Sequence, residues 1–187
     1  MPSQTWARTF TVTDDDIEFL NGLLLERETP LTAAELAREV IERRVSQETE
    51  TFRDRYRGAR VYNPMQGYEV GQKIVFPALD YALGKVTQVR AGDNPDYGVF
   101  YVATVEFEGS GKNAERREFA MALTTPHKLS QADGQDGDSL VNPEQLSTDD
   151  IMDAGADDIV ATVDERLTES SELVSVAGRW FPRDLIL

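Results

Sequence analysis

Val99-Phe100-Tyr101-Val102-Ala103-Thr104-Val105-Glu106-Phe107 is the clearest strand in the chain. β-Branched and aromatic residues fill it, and larger apolar side chains alternate with smaller or polar ones, the period-two pattern of a half-buried strand. Two runs before it share that chemistry, Gln72-Lys73-Ile74-Val75-Phe76 and Gly84-Lys85-Val86-Thr87-Gln88-Val89. After it, Arg116-Arg117-Glu118-Phe119-Ala120 offers a fourth strand. Pro77 to Tyr81, Gly92-Asp93-Asn94-Pro95 and Gly109-Ser110-Gly111-Lys112-Asn113 separate the runs with turn chemistry. Four or five short strands this close together would close most economically as a small SH3-like barrel, which leaves no exposed edge.

On the N-terminal side the period becomes helical. Thr13 followed by Asp14, Asp15 and Asp16 is a helix start, because a side-chain cap and early carboxylates suit the unpaired N–H groups and the dipole. Ile17, Leu20 and Leu24 recur on one face, widened by Phe19 and Leu23, and Pro30 ends the helix. Thr32-Ala33-Ala34-Glu35 is a capping box that opens a second helix. Its stripe is Leu36, Val40, Ile41 and Val45, extended by Phe52 and Tyr56 to about Arg57, with Gly58 as the stop.

On the C-terminal side, residues 130–146 are rich in Gly, Asp, Gln, Ser and Asn and read as a flexible linker. Ser147-Thr148-Asp149-Asp150 starts a short helix that Gly155 can end, and Asp157-Asp158 opens another carrying Ile159, Val160, Val163 and Leu167. Glu172-Leu173-Val174-Ser175-Val176, an Ala177-Gly178 turn and Arg179-Trp180-Phe181 form a hairpin. The expected fold is therefore α+β, a central SH3-like barrel flanked by helix-turn-helix or winged-helix elements. Its regions are a helical 1–60, a barrel at 61–128, an acidic linker at 129–146 and a winged-helix-like 147–187. The helical ends could form two small domains or one discontinuous domain.

The chain has 187 residues, 34 acidic and 19 basic, for a net charge of −15. Residues 129–172 hold thirteen acids against Arg166 alone, so −12 of that charge is local and the other 143 residues carry only −3. Broad nonspecific nucleic-acid binding, which rests on Lys and Arg neutralising phosphates, is disfavoured without being excluded. With no cysteine, disulfides, thiolate zinc sites and iron–sulfur clusters are out. The one histidine, His127, rules out a histidine-rich metal site within one chain. Asp133, Asp136 and Asp138 stand at positions 1, 4 and 6 of a would-be calcium loop, not 1, 3 and 5, although Glu144 falls at position 12. Neither a P-loop nor a nucleophile elbow occurs, so no metal, cofactor or enzymatic activity is expected. The start lacks a secretory signal and no run is long enough to span a bilayer, so a cytoplasmic location without membrane contact is expected.

The run Tyr68-Glu69-Val70-Gly71-Gln72-Lys73-Ile74-Val75-Phe76-Pro77, with Gly84-Lys85-Val86 and the Val99–Phe107 strand, resembles the Tudor-like RNA-polymerase-interacting domain of CarD-type regulators and the transcription–repair coupling factor. It covers under a third of the chain, and the same signature occurs in KOW and other SH3-like barrels. Gln72 stands where that family has Asp, and Asp80-Tyr81-Ala82-Leu83 replaces its His-Gly turn. The resemblance implies a barrel that pairs an exposed strand edge with a polymerase lobe. On the residues alone, Val70, Ile74, Phe76, Val86 and Phe107 are core and Gly71 and Gly84 are turn glycines. Leu31-Thr32-Ala33-Ala34-Glu35-Leu36-Ala37 has the look of a helix-turn-helix entry. Val174–Phe181 is similar to the wing of the helix-turn-helix in the delta subunit of bacterial RNA polymerase, itself strongly acidic, with Trp180 and Phe181 expected in the core.

Three basic sets are candidate binding residues for nucleic acid or a partner. Arg53, Arg55, Arg57 and Arg60 are interleaved with Phe52, Tyr56 and Tyr62, and on a helix Arg53, Arg57 and Arg60 share a face. Such a stripe could contact phosphates or an acidic protein surface, or simply be solvated. Arg116 and Arg117, with Lys112 in the adjacent turn, form a second set. Arg179 and Arg183 flank the wing, where an arginine can enter a minor groove. The expected function is non-enzymatic: a transcription-associated binding protein contacting RNA polymerase, duplex DNA or both. The alternative is a protein–protein adaptor with no nucleic-acid role.

Overall fold

The structure, a computed structural model, describes residues 2–109, 115–124 and 140–186, with side chains from Trp6 onward. The protein is mixed α+β, and its contacts divide it into two units: Met1–Thr49 with Pro143–Leu187, and Glu50–Asn142. The helical ends thus belong to one discontinuous unit, which the strand-rich segment interrupts.

The discontinuous unit starts with a helix that the sequence reading did not foresee, α1 (Pro2–Thr9). Helix α2 (Asp14–Arg27) follows under a capping box in which Thr13 and Asp16 bond reciprocally. Helix α3 (Ala33–Arg55) opens with the Thr32–Glu35 box: Thr32 N–H donates to Glu35 Oε2 at 2.8 Å and Glu35 N–H to Thr32 Oγ1 at 3.3 Å. The boundary between the units falls inside α3. Where two short helices were expected, one kinked helix, α4 (Thr148–Glu169), runs through Gly155 at φ −154°, ψ 24°. A Cβ at Gly155 would lie 2.3 Å from Ala7 Cβ, so the kink and the missing side chain make room for α1. Strands β6 (Leu173–Val176) and β7 (Arg179–Pro182) form the expected hairpin, with Ala177 and Gly178 both at positive φ as a two-residue turn demands. Trp180 N–H donates to Leu31 O at 2.7 Å, joining β7 to the segment between α2 and α3.

Leu20, Leu24, Leu36, Val40, Ile41, Ile151, Ile159, Leu167 and Trp180 make the shared core of this unit. Among the described residues its one buried charge is Asp16, whose carboxylate receives Arg43 at 3.1 Å and also Arg44. Part of the segment read as a flexible linker is anchored: Leu146 packs on this core and Gln145 Nε2 donates to Val45 O at 2.9 Å.

Gly22 stands in the interior of α2, exposed, and a Cβ there would meet nothing within 4 Å. Glycine costs a helix interior about 1 kcal/mol relative to alanine. Gly22→Ala is therefore expected to raise stability by about that amount, read as a higher urea midpoint at unchanged slope.

The second unit is a five-stranded sheet in the order β1 (Ala59–Val61), β2 (Lys73–Phe76), β3 (Ala82–Ala91), β4 (Tyr101–Phe107), β5 (Arg116–Met121). β1 runs parallel to β2 and the other pairs are antiparallel. The expected barrel does not form, because β1 and β5 do not pair and the sheet stays open. The chain after β1 turns at Asn63-Pro64, and its carbonyls catch only the end of β5: Ala122 N–H donates to Gln66 O and Leu123 N–H to Pro64 O, both at 2.9 Å.

The sheet buries side chains on both faces, which is why Ile74, Val75 and Phe76 are all inaccessible in succession. Ile74 and Phe76 join Tyr62, Tyr68, Val86, Val105 and Phe107 on one face. Val75 and Leu83 join Tyr56, Ala59 and Val61 on the other, where Leu140 also packs. Two expectations fail. Val70 is 63% exposed, not core. Gly84 lies inside β3, not at a turn: a Cβ there would be 2.3 Å from Val105 Cγ1, so glycine is required by close approach. Gly71, at φ +93°, is the turn glycine expected. Asp80 and Tyr81 occupy the left-handed region without being glycine. Tyr81 is held there by its ring against Phe52 and Tyr56, and its carbonyl accepts the Tyr56 hydroxyl at 3.0 Å.

Candidate functional site

The arginine stripe does not lie on one helical face. α3 stops at Arg55, Arg57 sits in the following turn, and Arg60 is in β1, the strand that the helical pattern hid. Arg57 is paired with Asp54 at 2.6 Å and the Arg55 guanidinium lies 5.5 Å from the Tyr56 ring centre. Arg53 is exposed, with no ion pair among the described residues. Arg60 is half-buried and borders a shallow depression with Gly67, Glu69, Val70 and Gln72.

The second set is on β5 and is largely neutralised. Arg116 Nε donates to Glu106 at 2.8 Å directly across the ladder, and Arg117 to Glu115 at 2.6 Å. In the other unit, Arg179 donates to Pro30 O at 3.1 Å, while Arg183 is exposed in the turn after β7. Arg53, Arg55, Arg57, Arg60, Arg116 and Arg117 thus belong to the sheet unit and Arg179 and Arg183 to the discontinuous one, with Arg57, Arg116 and Arg117 each held by a carboxylate. Lys112, His127 and the Asp133, Asp136, Asp138 run lie outside the described residues. Among the described residues no group of three acidic or imidazole side chains could hold a metal, and no helix is long and apolar enough to cross a membrane.

What the strand pattern could not reveal is that β5 is an edge. Phe107 N–H donates to Glu115 O at 2.9 Å, which fixes Phe107/Glu115, Val105/Arg117, Ala103/Phe119 and Tyr101/Met121 as the hydrogen-bonded pairs. The alternation of an antiparallel ladder then turns the backbone groups of Arg116, Glu118 and Ala120 away from β4. Ala120 O is taken by the Tyr62 hydroxyl at 2.6 Å. The N–H and C=O of Arg116 and Glu118 and the N–H of Ala120 face outward, with no strand beside them among the described residues.

This edge is backed by packed rings on its inner side. Phe119 packs its ring 4.3 Å from Phe76 and 5.4 Å from Tyr62. Burial pushes the Tyr62 phenol well above its ordinary range, with Tyr68 beside it adding to the rise, so Tyr62 stays a neutral donor at Ala120. Tyr68 is pushed up by burial too, and its hydroxyl accepts from Asn63 N–H at 2.6 Å, holding the turn that caps the end of β5. Outward, Arg90 makes two bonds to Glu118, at 3.2 and 3.0 Å, and that hydrogen bonding holds the Glu118 carboxyl below its ordinary value. Arg116, Arg117 and Glu118 in succession keep such an edge from pairing indiscriminately, so a strand that docks there must match their charges.

No known protein family, curated protein or solved structure matches the chain.

Proposed function

We propose that this is a non-enzymatic binding protein of the transcription machinery that docks on RNA polymerase by adding a polymerase strand to the free edge of β5. The observation that carries the reading is the short outward edge at Arg116–Ala120, backed by an aromatic core and framed by charged side chains. Main-chain bonds along such an edge supply affinity and the flanking side chains supply selectivity. The polymerase enters through the resemblance of Tyr68–Pro77 and the following strands to polymerase-interacting domains. On this reading the sheet is an opened relative of the SH3-like barrel.

The discontinuous unit is read as a winged helix into which the sheet is inserted. Support comes from the order α2, Leu31, α3, α4, β6, β7 and from the Leu31–Trp180 bridge that joins the first extended segment to the wing. In that arrangement α4 takes the place of the helix that enters a DNA groove. It carries Asp149, Asp150, Asp153, Asp157, Asp158, Asp164, Glu165 and Glu169 against Arg166 alone. Phosphate contact by such a helix is repulsive. With most of the arginines paired as well, a protein partner fits better than duplex DNA.

The test is binding to purified core RNA polymerase from the native host. Glu118→Pro leaves the β4·β5 ladder intact, since the lost N–H faces outward, but removes a donor from the edge and blocks strand addition. Binding is expected to fall at least about tenfold, a loss of about 1.4 kcal/mol. Glu118→Ala, which loses the same carboxylate but keeps the outward N–H, should bind clearly better than Glu118→Pro. No binding by the parent protein, or equal binding by Glu118→Pro, would sink the reading. Selective recovery of a different partner would favour the adaptor.

A further inference from the structure

Helix α2 carries a second stripe besides its core one. Asp15, Glu18, Phe19, Gly22, Leu23 and Glu26 recur at three- and four-residue steps, the spacing of one helix face. They line a groove of about 480 Å³, walled by Arg43. Phe19 and Leu23 are half-buried and make its apolar part. Between them Gly22 is exposed, and the space where its side chain would stand is open.

Nothing among the described residues calls for that glycine. It sits in regular helix, no turn begins there, and no neighbour approaches its Cα closely enough to exclude a methyl group. Glycine is among the least favourable residues for a helix interior. A missing side chain on an exposed helix face lets another backbone come near, as in close helix–helix packing.

The electrostatics choose the visitor. Asp15, Glu18 and Glu26 are exposed, and no ion pair holds their carboxylates among the described residues. Arg43, the cation in the groove's lining, is already committed: it donates to Asp16 Oδ1 at 3.1 Å and its guanidinium lies 4.9 Å from the Phe19 ring centre. Three unpaired carboxylates repel phosphate and attract ammonium or guanidinium groups.

We infer that this groove docks an amphipathic basic helix of a protein partner. A bulky apolar residue of that helix would sit over Gly22 between Phe19 and Leu23, with flanking lysines or arginines on Asp15, Glu18 and Glu26. A helix is the fitting shape, because the stripe runs straight along successive turns of α2 and presents apolar positions at helical spacing. The docking does not depend on the β5 edge, and either can fail without the other.

The probe is a short synthetic helical peptide with one leucine stripe flanked by lysines. Its control is a peptide of the same composition with the leucines scrambled around the helix. Titration of the full chain at physiological salt, followed by amide chemical shifts, is expected to favour the striped peptide by at least about tenfold, with shifts centred on α2. Gly22→Leu fills the groove while favouring helix, and should weaken the striped peptide about tenfold at an undiminished melting temperature. The pair Glu18→Gln and Glu26→Gln should weaken it as well. Asp157→Asn with Asp158→Asn, the same charge change on α4, should leave affinity within about twofold. Equal binding of both peptides overturns the inference, because the protein's net charge alone would then account for it. So does an α4 double variant as weak as the α2 one, or a folded Gly22→Leu that binds normally.

Discussion

Asp16→Asn is expected to lower the stability of the discontinuous unit by about 3 kcal/mol, the low end of what breaking a buried ion pair costs. The carboxylate has only 3% of its side chain exposed and serves four donors: Thr13 N–H at 2.9 Å, the Thr13 hydroxyl at 3.0 Å, Arg43 and Arg44. Arg43 and Arg44 are themselves only 28% and 25% exposed. With the charge gone, two guanidinium groups stay half-buried without their acceptor, and the lock between α2 and α3 is lost. The readout is built into the sequence, since both tryptophans, Trp6 and Trp180, lie in this unit. Their fluorescence in a urea titration should show the shifted midpoint. A shift under about 1 kcal/mol would mean the pair is no stronger than a surface contact.

The same carboxylate sets an acid limit. Burial pushes the Asp16 carboxyl up, but bonds from the Thr13 N–H, Arg44 and the Thr13 hydroxyl outweigh it, and its pKa lies below the ordinary 3.8. A group whose folded pKa is depressed stabilises the fold fully above the unfolded value, and the stabilisation fades as pH falls through the folded one. The gap between the parent protein and Asp16→Asn should therefore hold above pH 3.8 and narrow below it.

Phe76→Ala is expected to cost the sheet unit about 3–5 kcal/mol, which could unfold it outright. Phe76 is 2% exposed, and its ring centre lies 4.8 Å from Tyr62, 5.4 Å from Phe107 and 4.3 Å from Phe119. No neighbour can fill that void, since Tyr62 is tied to Ala120 O and Phe107 and Phe119 belong to paired strands. All six tyrosines lie in this unit and no tryptophan does. Tyrosine near-UV dichroism should be lost while the tryptophan transition keeps its midpoint. An unchanged tyrosine signal at ordinary temperature would show that the aromatic cluster is not what holds the sheet.

Features that depend on a few neighbouring residues were readable directly. Thr13, Thr32 and Ser147 begin their helices as expected, each with a carboxylate three residues on returning the bond. The Ala177-Gly178 turn and the alternation through Tyr101–Phe107 came out the same way. Each is set by hydrogen bonds or side-chain spacing within a few positions. β1 carries no legible period, being three residues among arginines, and α1 holds one large apolar residue, Trp6, with Phe10 only beyond its end.

What required the tertiary structure is what depends on distant partners. Asp16 reads as one of three acids opening a helix, and only the return of α3 makes it buried and doubly paired. The Arg116–Ala120 strand reads the same whether a barrel closes over it or not, and the turn at Asn63-Pro64 leaves it open. The helix caps, the Tyr101–Phe107 strand, the final hairpin and the local concentration of acid are legible in the residues themselves, since those follow from short-range chemistry. That the helical ends form one interrupted unit, that β5 has no strand on its outer side among the described residues and that Gly22 faces open space all rest on tertiary contacts, because each is a statement about which distant segments meet and which do not.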